Sequence, residues 1–254
     1  MVLFLFCVII IFMRIDRLLC ELNIGSRSQV KELLKKGLVS VNGVKVLKPE
    51  TKVNESNDVI VCNGREYRYR PFVYFMMNKP AGVVSATTDN KDKTVLDVFT
   101  EQCKAIYGDN MTGIPVKDIF PVGRLDKDTV GLLLLTNDGE LSHNLLSPKK
   151  HVPKKYYVET DFPFTKEQLE QLEKGVDIGE KEITKKAVME SLGEKCCYIT
   201  ITEGKYHQVK RMFQAVGLNV TYLKRISMGL LVLDEKLEEG CIRELTQKEV
   251  NDLC

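Results

Sequence analysis

The segment GRLDKDTVGLLLLTNDG, from Gly123 to Gly139, is the one around which the rest of this chain is organised. Its apolar run Leu132 to Leu135 is typical of a buried strand. A turn follows at Asn137 to Gly139, and the leucines after it recur at helical spacing. Asp126 lies on the loop before the strand. An acid there is supported by the strand and still reachable from a cleft, so Asp126 is the main catalytic candidate.

The same residues allow a simpler interpretation. Asp126 can be a turn or capping residue, and Arg124 a surface cation. A lone GRLD string would favour that interpretation, because short motifs specify structure and function only loosely. The choice therefore depends on the other segments of the chain.

Charge divides the chain into a basic part and a nearly neutral part. The 254 residues can form one large domain or two unequal ones, with apolar and charged contents of 44% and 28%. Met13 to Phe72 contains 12 Lys and Arg against 7 Asp and Glu, a net charge of +5. Residues 73–254 contain 25 against 28, a net charge of −3. The basic part is the candidate for binding a polyanion.

The eight cysteines form no CxxC pair, and the three histidines do not cluster with them. This spacing supports neither a zinc site nor a disulfide framework, and free thiols in a reducing cytoplasm account for the cysteines.

Residues 1–12, MVLFLFCVIIIF, form an apolar N-terminal extension. A membrane anchor or a signal peptide is one interpretation. The run is shorter than the ~20 apolar residues of a membrane span, and it has no basic residues before it and no small-residue cleavage site after it. We interpret it as an extension upstream of a start at Met13, and expect it to pack poorly.

Residues 13–71 predict two helices followed by a hairpin. Ile15 to Leu22 gives one apolar helical face, and Ser26 caps a second helix that ends near Lys36. The Asn42-Gly43 pair predicts a primed turn in the hairpin. The two helices are expected to carry the cations Arg14, Arg17, Arg27, Lys31, Lys35 and Lys36. A cluster of charges like this one is usually a solvated helix face.

The linker is placed at Glu66 to Pro71, and a second domain over residues 72–254 begins with a strand and the turn Lys79 to Gly82. A short helix is expected at Thr94 to Phe99, and Cys103 to Asp118 is expected to be a loop without an assigned role. Further strands and helices are expected up to the C-terminus.

Two later strings contain candidate site residues. Tyr156, Tyr157 and Val158 begin a predicted strand, and Lys154 lies among the charged residues before it. An isolated tyrosine there is more often a core or edge-strand aromatic. In YHQVKRMF, helical spacing makes Lys210 and Arg211 point about 100° apart, so one cation can face a site and the other an RNA. His207 is expected to cap or pack against the helix.

These strings together resemble the RsuA-type pseudouridine synthases. The resemblance covers the chain from about Met13 onwards, with GRLDKDTVGLLLLTNDG, NKPAG, KxY at Lys154 and Tyr156, and HQVKRMF as its motifs. SRSQVKELLKKGLVSVNG resembles the RNA-binding module named after the small-subunit ribosomal protein S-four. HQVKRMF favours the branch that modifies small-subunit rRNA, since large-subunit relatives more often have Arg in place of this His.

The resemblance implies roles for particular residues. Asp126 is the nucleophile, Tyr156 stacks on the target base, and Lys210 pairs with Asp126. Lysine lacks the bidentate fork of the arginine that is common at this position in the family. The residues alone leave open whether Asp126 attacks the ribose or acts as a base. Arg124 is expected to fill the space of the extruded base or to hold a phosphate. The other implied RNA contacts are Arg211, Lys154, Arg14, Arg17, Arg27 and Lys31.

The expected fold class is α+β. A small helix-helix-hairpin RNA-binding domain precedes a synthase domain built on a mixed, mainly antiparallel sheet with flanking helices. The expected activity is the isomerisation of uridine in small-subunit (16S) rRNA, as free rRNA or in a ribosome assembly intermediate. The alternatives are a large-subunit (23S) rRNA enzyme of the same family and a noncatalytic RNA-binding or ribosome-assembly protein. No metal, cofactor or membrane is implied, and the protein is expected to be a cytoplasmic monomer.

Overall fold

The computed structural model describes residues 12–55, 57–67, 69–108 and 118–253. Residues 1–11 of the apolar extension 1–12, which was expected to pack poorly, lie outside the described residues, and Phe12 pairs with Asn54 in a strand. Contacts between Cα atoms divide the chain into two compact units. The first contains Met1–Val73 and Cys103–Asp118, and the second contains Tyr74–Gln102 and Ile119–Cys254.

The described residues of Met1–Val73 in the first unit form two helices and two small sheets. The elements are β1 (Phe12–Arg14), α1 (Ile15–Glu21), α2 (Arg27–Lys35), β2 (Val39–Val41), β3 (Val44–Lys45), β4 (Lys52–Asn54), β5 (Ile60–Cys62) and β6 (Arg65–Tyr67). β1 pairs with β4, and the order of the other sheet is β3-β2-β5-β6. The core is formed by apolar residues of both helices and of the strands, with Ile15, Leu19, Val30 and Leu34 fully buried.

Local sequence signals in this unit are confirmed. Ser26 caps α2 through a capping box with Gln29, which satisfies backbone N–H groups at the helix start. Asn42 and Gly43 have φ values of 49° and 82°, as a primed two-residue turn requires.

The placement of Arg14 on the first helix was wrong. Arg14 ends β1, where it pairs with Lys52 of β4, and α1 begins one residue later. Met13 is buried in β1, and the pairing with β4 keeps the backbone extended up to Arg14.

The second unit is built on one nine-stranded sheet. The elements are β7 (Tyr74–Lys79), α3 (Val95–Tyr107), β8 (Phe120–Pro121), β9 (Val130–Thr136), α4 (Gly139–Leu146), β10 (Lys154–Thr160), α5 (Lys166–Lys174), β11 (Val188–Ser191), β12 (Cys196–Ile201), α6 (Gln208–Ala215), β13 (Val220–Met228), β14 (Leu231–Val232), β15 (Ile242–Glu244) and α7 (Gln247–Leu253). The end of α3, from Cys103, is assigned to the first unit. The order of the main path of the sheet is β11-β12-β10-β13-β9-β7-β15, with β14 paired to β13 and β8 paired to β9.

The sheet is mixed and mainly antiparallel, as predicted. β9 runs parallel to β13 and antiparallel to β7, and the other pairs of the sheet are antiparallel. Every residue of β9 is buried, because it lies between two strands and has packed side chains on both faces. The quoted apolar run is therefore the centre of this unit.

The prediction of a loop from Cys103 was wrong for residues 103–107, which continue α3. Val95, Phe99 and Cys103 are four residues apart and are all fully buried, so one apolar stripe extends through Cys103. The polar residues around Cys103 concealed this continuation. Residues 109–117 of the same segment are not described.

Among the residues that the structure describes, none of the helices has the length and apolar content needed to cross a membrane.

Lys79 ends β7 and is completely buried. Its Nζ atom donates to the carbonyl oxygens of Pro80 at 3.0 Å, Lys127 at 3.3 Å and Thr129 at 2.9 Å. Burial lowers the pKa of Lys79 from 10.5 to about 8, although the carboxylates of Asp128 and Asp126 act in the opposite direction. A buried ammonium group therefore holds the loop that precedes β9.

Gly131 allows β9 to lie against β13. Its φ is +101°, and an added Cβ atom would be 2.4 Å from the carbonyl oxygen of Arg225. A side chain here would strain the backbone and push the two strands apart.

We predict that Gly131→Ala lowers the free energy of unfolding by roughly 2–4 kcal/mol, since it combines a strained φ with a backbone clash. Urea unfolding measures this change. Gly139→Ala is the matched control, because an added Cβ there meets nothing within 4 Å, and we expect it to change stability by less than about 1 kcal/mol. Equal stability of the two variants would contradict the proposed close approach.

We predict that the wild type gains stability relative to Lys79→Met as the pH rises. Between about pH 8 and pH 10.5 the unfolded chain keeps the Lys79 proton and the folded protein releases it. The unfolded state then binds more protons, so the free energy of unfolding rises, by roughly 3 kcal/mol over the window.

Urea unfolding of both proteins at neutral pH and at about pH 10 gives this difference. Lys186→Met is the control for the titration of the other lysines, because Lys186 is exposed. Parallel pH dependences of the wild type and Lys79→Met would show that burial does not perturb Lys79.

Candidate active site

A cavity of about 850 Å³ opens in the second unit beside the loop between β8 and β9. Residues 123–127 of this loop form one wall, and Tyr156 of β10 lines the cavity with them. The turn before α6 contributes Tyr206 and His207, and Arg225 of β13 also lines the cavity. Two strands and two loops that are distant in sequence therefore meet around one space.

The backbone of the loop that contains Asp126 is held at several points. Ser85 Oγ accepts from Leu125 N at 3.0 Å and donates to Leu125 O at 2.9 Å. Gly82 N donates to the carbonyl oxygen of Lys127 at 2.8 Å, in addition to the bonds from Lys79. These contacts flank Asp126 on both sides and fix the position from which its side chain extends.

Lys210 of α6 lies between two carboxylates of this loop. Its Nζ atom is 3.1 Å from Asp126 Oδ2 and 2.5 Å from Asp128 Oδ1. The side chain of Asp126 is 25% exposed and that of Asp128 is 75% exposed. Asp126 is thus the more enclosed acid of the pair, and it lines the cavity.

The charges of Lys210 and Asp128 stabilise one another. Burial alone would lower the pKa of Lys210, but its bonds to Asp128 and Asp126 outweigh burial and raise it. Burial alone would raise the pKa of Asp128, but the hydrogen bond and charge of Lys210 lower it. Lys210 therefore remains an ammonium group between the two carboxylates at neutral pH.

His207 occupies the N-cap position of α6, but its side chain makes no capping hydrogen bond. The predicted position at the helix start is confirmed, although the backbone and not the imidazole forms the cap. Its backbone is left-handed, with φ of 47°, and this turn directs Nε2 to 3.5 Å from Asp126 Oδ1. A long-range contact decides the orientation of this imidazole, which its neighbours in sequence did not indicate.

Tyr156 is 8% exposed and lines the cavity, whereas Tyr157 contacts the rings of Tyr198 and Tyr222. The alternation expected for a strand separates the two tyrosines. Lys154 also lines the cavity. Burial, with a contribution from Arg225, lowers the pKa of Lys154.

Arg124 and Arg211 differ in their surroundings. Arg124 is exposed and lines the cavity. Arg211 donates to the Ile178 carbonyl oxygen, to Glu180 Oε1 at 2.8 Å and to the Tyr206 carbonyl oxygen at 3.1 Å. Its guanidinium group connects protein segments, and the RNA contact expected of Arg211 stays a prediction.

Several site residues were not singled out from the sequence. Lys79 was seen only as part of a turn, and Ser85 gave no signal at all. Arg225 is 2% exposed, and its Nε donates to Leu132 O at 2.7 Å. In the described part of the chain, Arg225 Nη2 has no hydrogen-bond partner. A charged residue inside an apolar strand pattern was the one available signal for Arg225.

The expected RNA-binding cations of the first unit are all exposed. Arg14 pairs with Asp16 at 2.7 Å and Arg17 pairs with Glu21 at 2.7 Å, which reduces the net positive charge that they present. Arg27 and Lys31 lie on α2.

The arrangement offers a carboxylate beside a lysine, a buried tyrosine face and a cavity large enough for a nucleoside. Six cations and two acids line this cavity, which suits a ligand with phosphate groups. A nucleophilic or basic carboxylate acting on a bound nucleotide is the chemistry that these groups support.

Comparisons with known proteins agree with this chemistry. The family described as RNA pseudouridylate synthase matches residues 73–215, and the S4 domain matches residues 13–60. An uncharacterized RNA pseudouridine synthase of Bacillus subtilis is 46% identical, covering 94% of this chain and 97% of that protein. The ribosomal small subunit pseudouridine synthase A of Vibrio cholerae is 39% identical, covering 94% and 98%.

A large-subunit relative and a solved structure are also similar. The ribosomal large subunit pseudouridine synthase B of Bacillus subtilis is 39% identical, covering 94% of this chain and 95% of that protein. A crystal structure of a pseudouridylate synthase is 36% identical with a TM-score of 0.64, covering 95% of this chain and all of that one. On this evidence, the chain belongs to the RNA pseudouridine synthase family, with an S4 domain at its N-terminus.

Proposed function

We propose that this enzyme isomerises a specific uridine of small-subunit rRNA to pseudouridine, with Asp126 as the nucleophile. The observation that supports this most strongly is the contact of Asp126 with Lys210 at the wall of a nucleoside-sized cavity. In this proposal, residues 13–71 form the RNA-binding domain and residues 72–254 form the catalytic domain.

The reaction exchanges one bond at the ribose for another. The Asp126 carboxylate attacks C1′ of the target uridine, and the N1–C1′ bond breaks with its electron pair going to the uracil. The uracil then turns within the cavity, and its C5 attacks C1′ and displaces Asp126. C5 loses its proton and N1 gains one, so no oxidant or reductant is needed.

Lys210 has an electrostatic role in this scheme. Its ammonium group lies 3.1 Å from Asp126 Oδ2, where it orients the carboxylate for attack and stabilises the negative charge that returns when Asp126 is displaced. Asp128 orients Lys210 from the solvent side, because the same Nζ atom contacts both carboxylates. Asp128 is therefore a positioning residue rather than a second nucleophile.

Tyr156 is assigned to the uracil. Its ring lines the cavity from β10, and stacking of a base on an aromatic ring is worth ~1–3 kcal/mol. Such a contact holds the uracil while it is detached from the ribose, and it tolerates rotation of the uracil in its own plane.

Cations around the cavity are assigned to the RNA backbone. A uridine inside folded RNA must be extruded before it can reach Asp126, at a cost of a few kcal/mol. Arg124 is two residues from Asp126 and exposed at the cavity, so it can fill the vacated space or bind a phosphate. Lys154 is a second phosphate contact. In the first domain, we propose sequence-independent phosphate contacts from Arg14, Arg17, Arg27 and Lys31.

The choice of small-subunit rRNA depends on the HQVKRMF string. Relatives named for the small and the large ribosomal subunit are equally similar, each 39% identical, so overall identity does not separate the two substrates. His207 contacts Asp126 at 3.5 Å, which places this distinguishing residue inside the site.

We predict that deleting the gene removes one pseudouridine from small-subunit rRNA, and that wild type restores it whereas Asp126→Asn does not. An amide is a poor nucleophile, so the rate should fall by roughly 10³-fold or more. Carbodiimide treatment of rRNA followed by primer extension maps the modification in both subunits.

Immunoblots control for equal amounts of the two proteins. Restoration by Asp126→Asn would remove Asp126 from its proposed role. A pseudouridine lost from the large subunit instead would assign the enzyme to that RNA and leave the role of Asp126 to be judged by the same rescue.

A further inference from the structure

Tyr206 is the large aromatic side chain that stands most open at the cavity wall. It is 72% exposed and lines the cavity, whereas Tyr156 in the same cavity is 8% exposed. Its ring therefore adds little to the packing of the second unit. A ring in this position is available to contact a ligand that enters the cavity.

The ring of Tyr206 is held in a fixed position. It stacks on the imidazole of His207 with a centroid distance of 3.8 Å and an interplanar angle of 19°. Its carbonyl oxygen accepts a hydrogen bond from Arg211 Nη1 at 3.1 Å. On the preceding residue, Lys205 N donates to Gln208 Oε1 at 2.9 Å and Lys205 Nζ donates to Glu182 O at 2.9 Å.

This rigidity is relevant to binding. An aromatic side chain that is already ordered loses little conformational freedom when a ligand stacks on it. The anchors of Tyr206 are all intramolecular and leave the side chain exposed. The segment thus has the property expected of a preorganised stacking surface.

The location of the stack indicates which ligand it would meet. His207 contacts both residues: its ring stacks on Tyr206, and its Nε2 atom is 3.5 Å from Asp126 Oδ1. A base stacked on the outer side of Tyr206 would therefore lie near the nucleotide at Asp126 without occupying its place. This position suits a nucleotide that neighbours the one at Asp126.

The charge around the cavity favours a nucleic acid over an apolar peptide. The lining residues include Arg124, Lys127, Lys185 and Lys205, against the acids Asp126 and Glu203. Single-stranded RNA is bound by this combination of a cationic surface and an exposed aromatic ring, because every base offers a flat face.

We propose that the Tyr206–His207 stack is a platform for the base of a nucleotide adjacent to the target uridine. This inference rests on the proposed function and adds a contact for flanking RNA to that site. Because stacking tolerates different bases, the platform contributes affinity and orientation more than sequence choice.

The chain contains no tryptophan, so Tyr206→Trp introduces a single fluorescent reporter at the platform. The experiment uses the full chain with Asp126→Asn, which prevents turnover, and oligouridine of about 12 nucleotides as the probe. An abasic oligomer of equal length retains the phosphates and lacks the bases. We expect oligouridine to quench the emission of this tryptophan and the abasic oligomer to leave it nearly unchanged.

Binding of oligouridine is then compared among variants that have alanine or phenylalanine in place of Tyr206. We expect Tyr206→Ala to weaken oligouridine binding roughly 5- to 100-fold, and Tyr206→Phe to bind as the parent protein does. Phe162→Ala is the matched control, since Phe162 is 65% exposed in the same unit and does not line the cavity. Thermal unfolding of each variant verifies that folding is unchanged.

Unchanged tryptophan emission with saturating oligouridine, or equal binding by Tyr206→Ala and Phe162→Ala, would overturn the proposal. Equal quenching by the abasic oligomer would also overturn it, because the phosphates alone would then explain binding. The readout is binding and not isomerisation, so failure of the platform is distinguishable from failure of Asp126 as the nucleophile.

Discussion

The contact of Lys210 with Asp126 and Asp128 is the interaction on which the proposed chemistry depends. It joins α6 to the loop before β9, two segments separated by more than 80 residues in sequence. In the proposed reaction, the ammonium group attracts the carboxylate that attacks C1′ and holds it at the cavity wall. Without this contact, the proposed nucleophile would lose its neighbouring positive charge.

Most of the second unit positions that contact. β9 is buried between β7 and β13, and Gly131 lets β13 approach closely enough for the parallel pairing. Lys79 and Ser85 then fix the backbone on either side of Asp126. The burial of the Lys79 ammonium opposes folding at neutral pH, so the hydrogen bonds that it makes to the loop offset part of that cost.

The sequence predicted those features that local patterns determine. The capping box of Ser26, the turn at Asn42-Gly43 and the buried strand after Asp126 depend on residues close to one another, and the structure confirms all three. The α+β class with a mixed, mainly antiparallel sheet was also predicted, through the family resemblance. In the site, the sequence singled out Asp126 and Lys210, which the structure places 3.1 Å apart.

What the sequence did not predict depends on long-range contacts. Lys79 is buried because its ammonium group meets carbonyl oxygens about 50 residues further along the chain, at Lys127 and Thr129. His207 faces Asp126 because of a left-handed backbone at the start of α6, which no motif signals for histidine. Arg211 has the charge of an RNA contact, and only the structure shows its bonds to Glu180 and to two carbonyl oxygens.

The central claim is that Asp126, and not its neighbour Asp128, performs the chemistry, although Lys210 contacts both acids. Single-turnover pseudouridine formation on an rRNA transcript, measured with Asp126→Asn and Asp128→Asn side by side, tests this most directly. We predict no detectable product with Asp126→Asn despite normal RNA binding. We predict a rate within roughly tenfold of wild type with Asp128→Asn, because the Asp128 side chain is 75% exposed. Product formation by Asp126→Asn, or its loss in Asp128→Asn alone, would contradict this assignment.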